Sequence, residues 1–159
     1  PKVANFLINL FSTLYAIPSL AMFAILIPIT GLGKNTAIIV LTLYNQYILL
    51  RNFINGLNAV EPSMIDAATG MGMNRIQVLY KIRLPLSKKP LITGLRLGIV
   101  STIGIATIAA SINAGGLGDI LFDGLRTMNI YKIVWGSILS SGLALLANGL
   151  LTIFEKKLN

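Results

Sequence analysis

Asp66 to Pro85 reads DAATGMGMNRIQVLYKIRLP and is the only long segment that is neither a hydrophobic run nor a short connection. The spacing predicts two short helices separated by glycine. Ser63 caps the first, with Asp66 three residues on in capping-box spacing. An alternative start puts Glu61 at the cap and Pro62 at the first helical position. Met64, Ala67, Ala68 and Met71 then fall on one face. Gly70 and Gly72 let the chain turn without a Cβ penalty. Asn74 with Gln77 repeats the capping pattern, and Ile76, Leu79 and Tyr80 supply a second apolar stripe. Pro85 is expected to stop that helix. Two small amphipathic helices between greasy runs point to a docking surface for another protein.

What flanks this stretch is lipid-soluble. The chain has 159 residues, 55% hydrophobic and only 11% charged, and its mean hydropathy is +0.79. Soluble domains carry about 25% charged residues. Val3 to Gly33, Leu97 to Gly118 and Ile133 to Phe154 contain no Asp, Glu, Lys or Arg. Each exceeds the roughly 18–20 residues that cross a bilayer as a helix. A fourth run, Asn35 to Val60, is broken only by Arg51. The reading is an all-α, multi-span membrane protein. The first residue is Pro1, not Met, which reads as a trimmed start. The opening run is too long for a signal peptide and lacks a cleavage-site pattern. With no Cys and no His, disulfides, thiol nucleophiles, imidazole proton relays and His/Cys metal sites are excluded.

The expected layout is a single domain over residues 1–159. Spans lie at about 4–29, 36–56, 90–112 and 131–154, with a polar loop at 57–89 and a glycine-rich loop at 113–130. Pro18 and Pro28 interrupt the first span, which a membrane tolerates when neighbours satisfy the freed carbonyls. Alternating spans put Lys2, Arg75, Lys81, Arg83, Lys88, Lys89, Lys156 and Lys157 on one side, with Arg51 and Arg96 near its boundary. Lys34, Arg126 and Lys132 lie on the other. Ten against three makes the first side cytoplasmic. The formal charge of +8 is thus a topology signal and not a nucleic-acid footprint.

Several motifs fail. Gly33-Lys34-Asn35-Thr36 resembles the end of a phosphate loop, but Pro28 and Asn35 occupy positions that need Gly and Ser or Thr. Gly116 and Gly118 begin a dinucleotide-like spacing, and Leu121 sits where the third Gly belongs. Asp119 and Asp123 share a helical face as a carboxylate pair, with a solvated external loop as the plainer reading. Arg51, within a span, is either a gate or a snorkelling anchor. Gly94/Gly98 and Ser137/Ser141 are small-residue pairs suited to close helix packing. Asn45, Gln46 and Tyr47 either line a polar path or bond between helices.

Asp66-Ala67-Ala68, three residues, Gly72, nine residues, Ile82, one residue, Leu84-Pro85 resembles the EAA loop of bacterial ABC-importer permeases. Only Asp66 departs from that pattern, where Glu is usual, and the carboxylate is kept. Ile17-Pro18-Ser19-Leu20-Ala21, Ile27-Pro28, Arg51-Asn52, Gly70-Met71-Gly72-Met73, Ile105 to Ala110 and Ala114 to Asp119 extend the likeness over nearly the whole chain. They are similar to the osmoprotectant branch, which takes up glycine betaine, carnitine and choline.

The resemblance implies a MetI-like helix bundle in the bacterial inner or plasma membrane, with an N-terminal helix missing here. It implies a transport subunit with no catalytic residues. ATP and Mg would be bound by a partner dimer of cytoplasmic ATPases. A second permease copy or homologue and an external substrate-binding protein complete the assembly. Ser63, Asp66, Ala67, Ala68, Gly72, Ile82, Leu84 and Pro85 become the candidate coupling residues. Gly115, Gly116, Gly118 and Asp119 become candidate contacts for the binding protein. Two alternatives stay open: a permease for another small polar solute such as an amino acid, and an ion-coupled secondary transporter. The second expects intramembrane acids, and the expected spans hold none.

Overall fold

The computed structural model describes residues 2–157. Pro1 therefore lies outside the described residues, as do the side chains of Lys2 and Lys157 used in the charge count. The opening run forms α1 (Lys2–Tyr15) and α2 (Ser19–Thr30). Then come α3 (Lys34–Asn58), the short α4 (Pro62–Gly70) and α5 (Arg75–Val78). A π-helical turn (Leu79–Arg83) and α6 (Leu84–Leu86) lead into α7 (Lys88–Ala109), which closes in a 3-10 turn (Ala110–Ile112). The last elements are α8 (Gly118–Arg126) and α9 (Ile130–Lys157).

Among the described residues, α3, α7 with its 3-10 turn, and α9 are long and apolar enough to cross a membrane. The expected first span is not one rod. α1 and α2 meet at 93°, because Pro18 lacks an N–H and restricts Ile17 before it. The Tyr44 hydroxyl on α3 donates to the Ile17 carbonyl at the break, which satisfies a group that lipid would leave stranded. Pro28 does not end α2, which runs on to Thr30 and stops at Gly31, whose φ of 80° suits a residue without Cβ.

The bundle is knit by small residues. α3 and α7 run antiparallel with their backbones unusually close. A Cβ on Gly94 would lie 2.5 Å from the Asn52 Cβ, and one on Gly98 would overlap the Asn45 side-chain oxygen. At the loop end of the seam, a Cβ on Gly56 would lie 2.9 Å from Pro90. The Gly94/Gly98 pair is thus used as its spacing suggested. On α9 the close approach is made by Gly136 against Leu121 of α8, whereas Ser141 is exposed. Polar contacts bind α9 to α7 near the 57–89 end. Arg96 pairs with Glu155 at 3.4 Å and donates to Thr152, and Thr93 donates to Glu155. At the other end Met22, Phe23, Ala37, Val40, Tyr44, Ala109 and Ile112 form the core.

The region expected to be a loop at 113–130 contains α8. Its glycines explain the difference: Gly118 is buried against the Thr107 carbonyl and Gly124 lies against the start of α9. Asp119 in its first turn and Arg126 in its last complement the helix dipole.

Gly94→Ala should destabilise the protein by about 1–3 kcal/mol, the usual cost of overpacking a tight contact. Gly104→Ala in the same helix meets open space and should leave the melting temperature unchanged or raised. Thermal melts of the two purified variants in one detergent check the pair.

Candidate functional site

The segment between α3 and α7 is folded, not loose. Glu61 occupies the N-cap of α4 and Pro62 its first turn, with no side-chain capping bond. The expected Ser63 cap is therefore not formed; the proline start won, because its fixed φ is already helical and its missing N–H is an orphan there anyway. At the other end Gly72, with φ +85°, sits in a Schellman-type turn. Met73 N–H reaches the Ala68 carbonyl at 3.1 Å, and Gly72 N–H reaches Thr69 at 2.9 Å. Nothing stands within 4 Å of a Gly72 Cβ, so the backbone angle alone demands glycine. Gly70 ends the helix in ordinary geometry.

Asn74 and Gln77 form the full capping box expected of them, with both bonds at 2.8 Å. Pro85, however, does not stop a helix. The chain passes through the π turn, where Leu84 N–H bonds back to Leu79, and Pro85 falls in the first turn of α6. A proline is tolerated there because it has no N–H to satisfy and follows a π turn whose bonding register is already shifted from the i→i−4 ladder. Helix then continues to Leu86.

The two apolar stripes are divided by the tertiary fold. Ala68 of the first stripe is buried, as is Val78, which belongs to neither stripe, and Leu79 of the second is half-buried. Met64, Met71, Ile76 and Tyr80 stay open, the last three most of all: Met71 72%, Ile76 67% and Tyr80 66%. Ser63, Asp66, Ala67, Gly72 and Pro85 are also exposed, and Ile82 and Leu84 are half-buried. Asp66 makes no ion pair among the described residues. The result is a projecting pair of short helices with an apolar, solvent-facing tip.

Both ends of the segment are pinned together by a contact no motif announces. Ser87 is fully buried, and its hydroxyl donates to the Gly56 carbonyl at 2.8 Å. Together with Gly56 on Pro90, this joins the end of α3 to the start of α7.

The whole chain, residues 1–159, matches the family described as binding-protein-dependent transport system inner membrane component. The chain belongs to that family. It is 40% identical over 158 residues to the carnitine transport permease protein OpuCB of Listeria monocytogenes, spanning 99% of this chain and 72% of that one. It is 36% identical over 154 residues to the ergothioneine transport permease/ergothioneine binding protein EgtU of Helicobacter pylori, spanning 97% of this chain and 28% of that one. In structure it resembles the inward-facing MetNI methionine ABC transporter, with a TM-score of 0.86 at 21% identity, over 95% of this chain and 73% of that one. The MetI-like bundle and the multi-pass inner-membrane location follow. The family is a membrane component of transport systems, so the role is transport and not catalysis, and a substrate-binding protein belongs to the system.

At the opposite end of the bundle, Asn113 adopts left-handed geometry, and Gly115 and Gly116 have φ of 86° and 94°. Asp119 is exposed and Gly118 is buried, so of the four residues singled out there Gly118 serves packing. Asp119, Asp123, Arg126 and Lys132 surround a hollow of about 500 Å3. Asp123 bonds Lys132 at 2.6 Å, and this bond, with the lysine charge, holds its carboxyl below the ordinary range. Arg51 on α3 donates to the Tyr47 hydroxyl at 2.6 Å.

Gly72→Ala should cost about 1–2 kcal/mol, the penalty of left-handed geometry for a residue with Cβ, and Gly70→Ala should be neutral. Amide hydrogen exchange at Met71–Met73 reads the difference. The Asp123–Lys132 contribution is present above the unfolded carboxyl value and lost as pH falls through the lower folded one. A melt series from pH 7 to pH 3 should lose that component in Asp123→Asn.

Proposed function

We propose that this chain is the membrane-spanning translocation subunit of an ATP-driven importer for quaternary-ammonium and betaine solutes. The coupling half of this reading rests on one observation: a capped, glycine-turned helix pair projects apolar Met71, Ile76 and Tyr80 into solvent while Ser87 and Gly56 anchor it to two spans. An exposed apolar tip on a rigid base suits a groove on a partner protein, here a cytoplasmic ATPase that holds ATP and Mg. The charge bias of the 57–89 side supports its cytoplasmic placement. Met64, Asp66 and Ala67 flank the tip; Ala68, Gly72, Ile82, Leu84 and Pro85 set its shape.

The substrate half rests on likeness to a carnitine permease. ATP-driven closure of the ATPase pair would swing the tip as a rigid body, and the tight α3–α7 seam would carry both helices with it. The permease, paired with a second copy or a homologue, then alternates between two access states whose balance its partners shift. The binding protein would dock at the opposite end, on the surface of Gly115, Gly116 and Asp119.

Reconstituted with its ATPase and binding protein, the wild-type complex should import labelled carnitine or glycine betaine only with ATP. Ile76→Asp should lower both ATPase pull-down and uptake by tenfold or more without shifting the melt. Unchanged pull-down would sink the coupling surface. Import of a plain amino acid alone would move the chain to the amino-acid reading.

A further inference from the structure

Arg51 lies inside α3, well before its end at Asn58. A snorkelling arginine extends toward the headgroups. This one turns back along α3: its guanidinium carbon lies 5.8 Å from the Tyr47 ring centroid, and its Nη1 donates to the Tyr47 hydroxyl. It also makes no ion pair among the described residues, unlike Arg96, which has Glu155. A cation within a span and without a carboxylate is an incomplete arrangement.

Beside it is a pocket of about 380 Å3, lined by residues of α1, α3 and α7 that include Tyr15, Tyr47, Arg51, Asn52 and Ser101. That volume suits a small solute. The Tyr15 ring lies 4.8 Å from Tyr47 and 5.3 Å from Tyr44, so Tyr47, the ring beside the guanidinium, is backed by a second ring that also lines the pocket. We propose that this pocket is a recognition site within the permease for zwitterions that carry both a quaternary ammonium and a carboxylate. The solute carboxylate takes Arg51, for which a planar guanidinium is suited. Arg51 thereby leaves the Tyr47 face, and the freed ring receives the quaternary ammonium through a cation–π contact. A solute with the ammonium but no carboxylate, such as choline, meets the Arg51 charge uncompensated and is disfavoured. The pocket thus deepens the importer reading, on which it rests, by naming a substrate class that the spans themselves select.

Proteoliposomes holding the complete importer test it with labelled glycine betaine, carnitine and choline. Arg51→Gln should lower kcat/KM for the two zwitterions at least tenfold and leave that for choline unchanged or raised, and Arg51→Lys should recover part of the loss. An equal fall for all three solutes, or none, overturns the pocket. So does a wild type that imports choline in preference to both zwitterions. If Arg51→Gln fails to assemble, the wild-type permease–ATPase complex without binding protein decides. It should bind labelled glycine betaine more tightly than choline, and equal or absent binding overturns the site. A wild type that imports none of the three defeats the importer reading itself, and the pocket with it.

Discussion

The close packing of α3 on α7 is the contact on which the rest of the structure depends. In lipid, apolar side chains gain nothing by leaving one apolar surface for another, so helices associate through van der Waals fit and hydrogen bonds. Gly94 and Gly98 supply the fit by removing every atom that would hold the backbones apart from Asn52 and Asn45. Because the seam continues to Gly56 and Pro90, the two helices arrive side by side at the base of the 57–89 segment. Ser87 then bonds to Gly56. A segment closed in this way has both of its ends fixed to one another.

The same solvent explains the two other devices of the fold. The break between α1 and α2 leaves the Ile17 carbonyl to find a partner outside its own helix, and the Tyr44 hydroxyl donates to it. The polar residues Arg96, Thr152, Thr93 and Glu155 satisfy one another between α7 and α9. Exposed side chains along α9, among them Trp135, Leu145, Leu146 and Phe154, cover the remaining outer surface with hydrocarbon. Such a face is expected of a span whose outer neighbours are lipid or another span. α8 belongs to the opposite end, where Gly124 and Gly136 bring it flat against α9.

Arg51 joins the fold to the transport problem. Its side chain shares one pocket with Tyr15, although 36 positions of sequence numbering separate them. Only the 93° turn between α1 and α2, with α1 alongside α3, brings Tyr15 there. Asn45 and Tyr47, two positions apart on α3, face different neighbours, and the buried Asn45 side-chain oxygen makes no hydrogen bond to another helix among the described residues. Asn45 lies in the seam against Gly98, and Tyr47 opens onto the pocket.

Much was legible in the residues because it is local. Charge-free runs marked α7, α9 and the bent α1–α2 pair, and the run interrupted only by Arg51 marked α3, since a bilayer penalises every ionised group. Asn74 and Gln77 specified their capping box and Gly72 its turn, since both follow from bonds within a few residues. The twenty-residue pattern from Asp66 to Pro85 and the family it resembles agree with the full-length family match. Less local features were not legible. Ser63 and Pro62 offered rival starts to one helix, and Pro85 reads as a stop until a π turn is known to precede it. α8 was hidden by glycines that look like loop residues until their close neighbours are seen. Ser87, Val78 and the reversal of Arg51 onto Tyr47 carry no pattern, because burial and partner choice depend on residues distant in the chain. The sequence by itself determined which segments are apolar enough to enter lipid and the local turns at Gly72 and Asn74. Tertiary structure alone decided which carbonyls, rings and charges meet, because those contacts form only when helices far apart in sequence pack together.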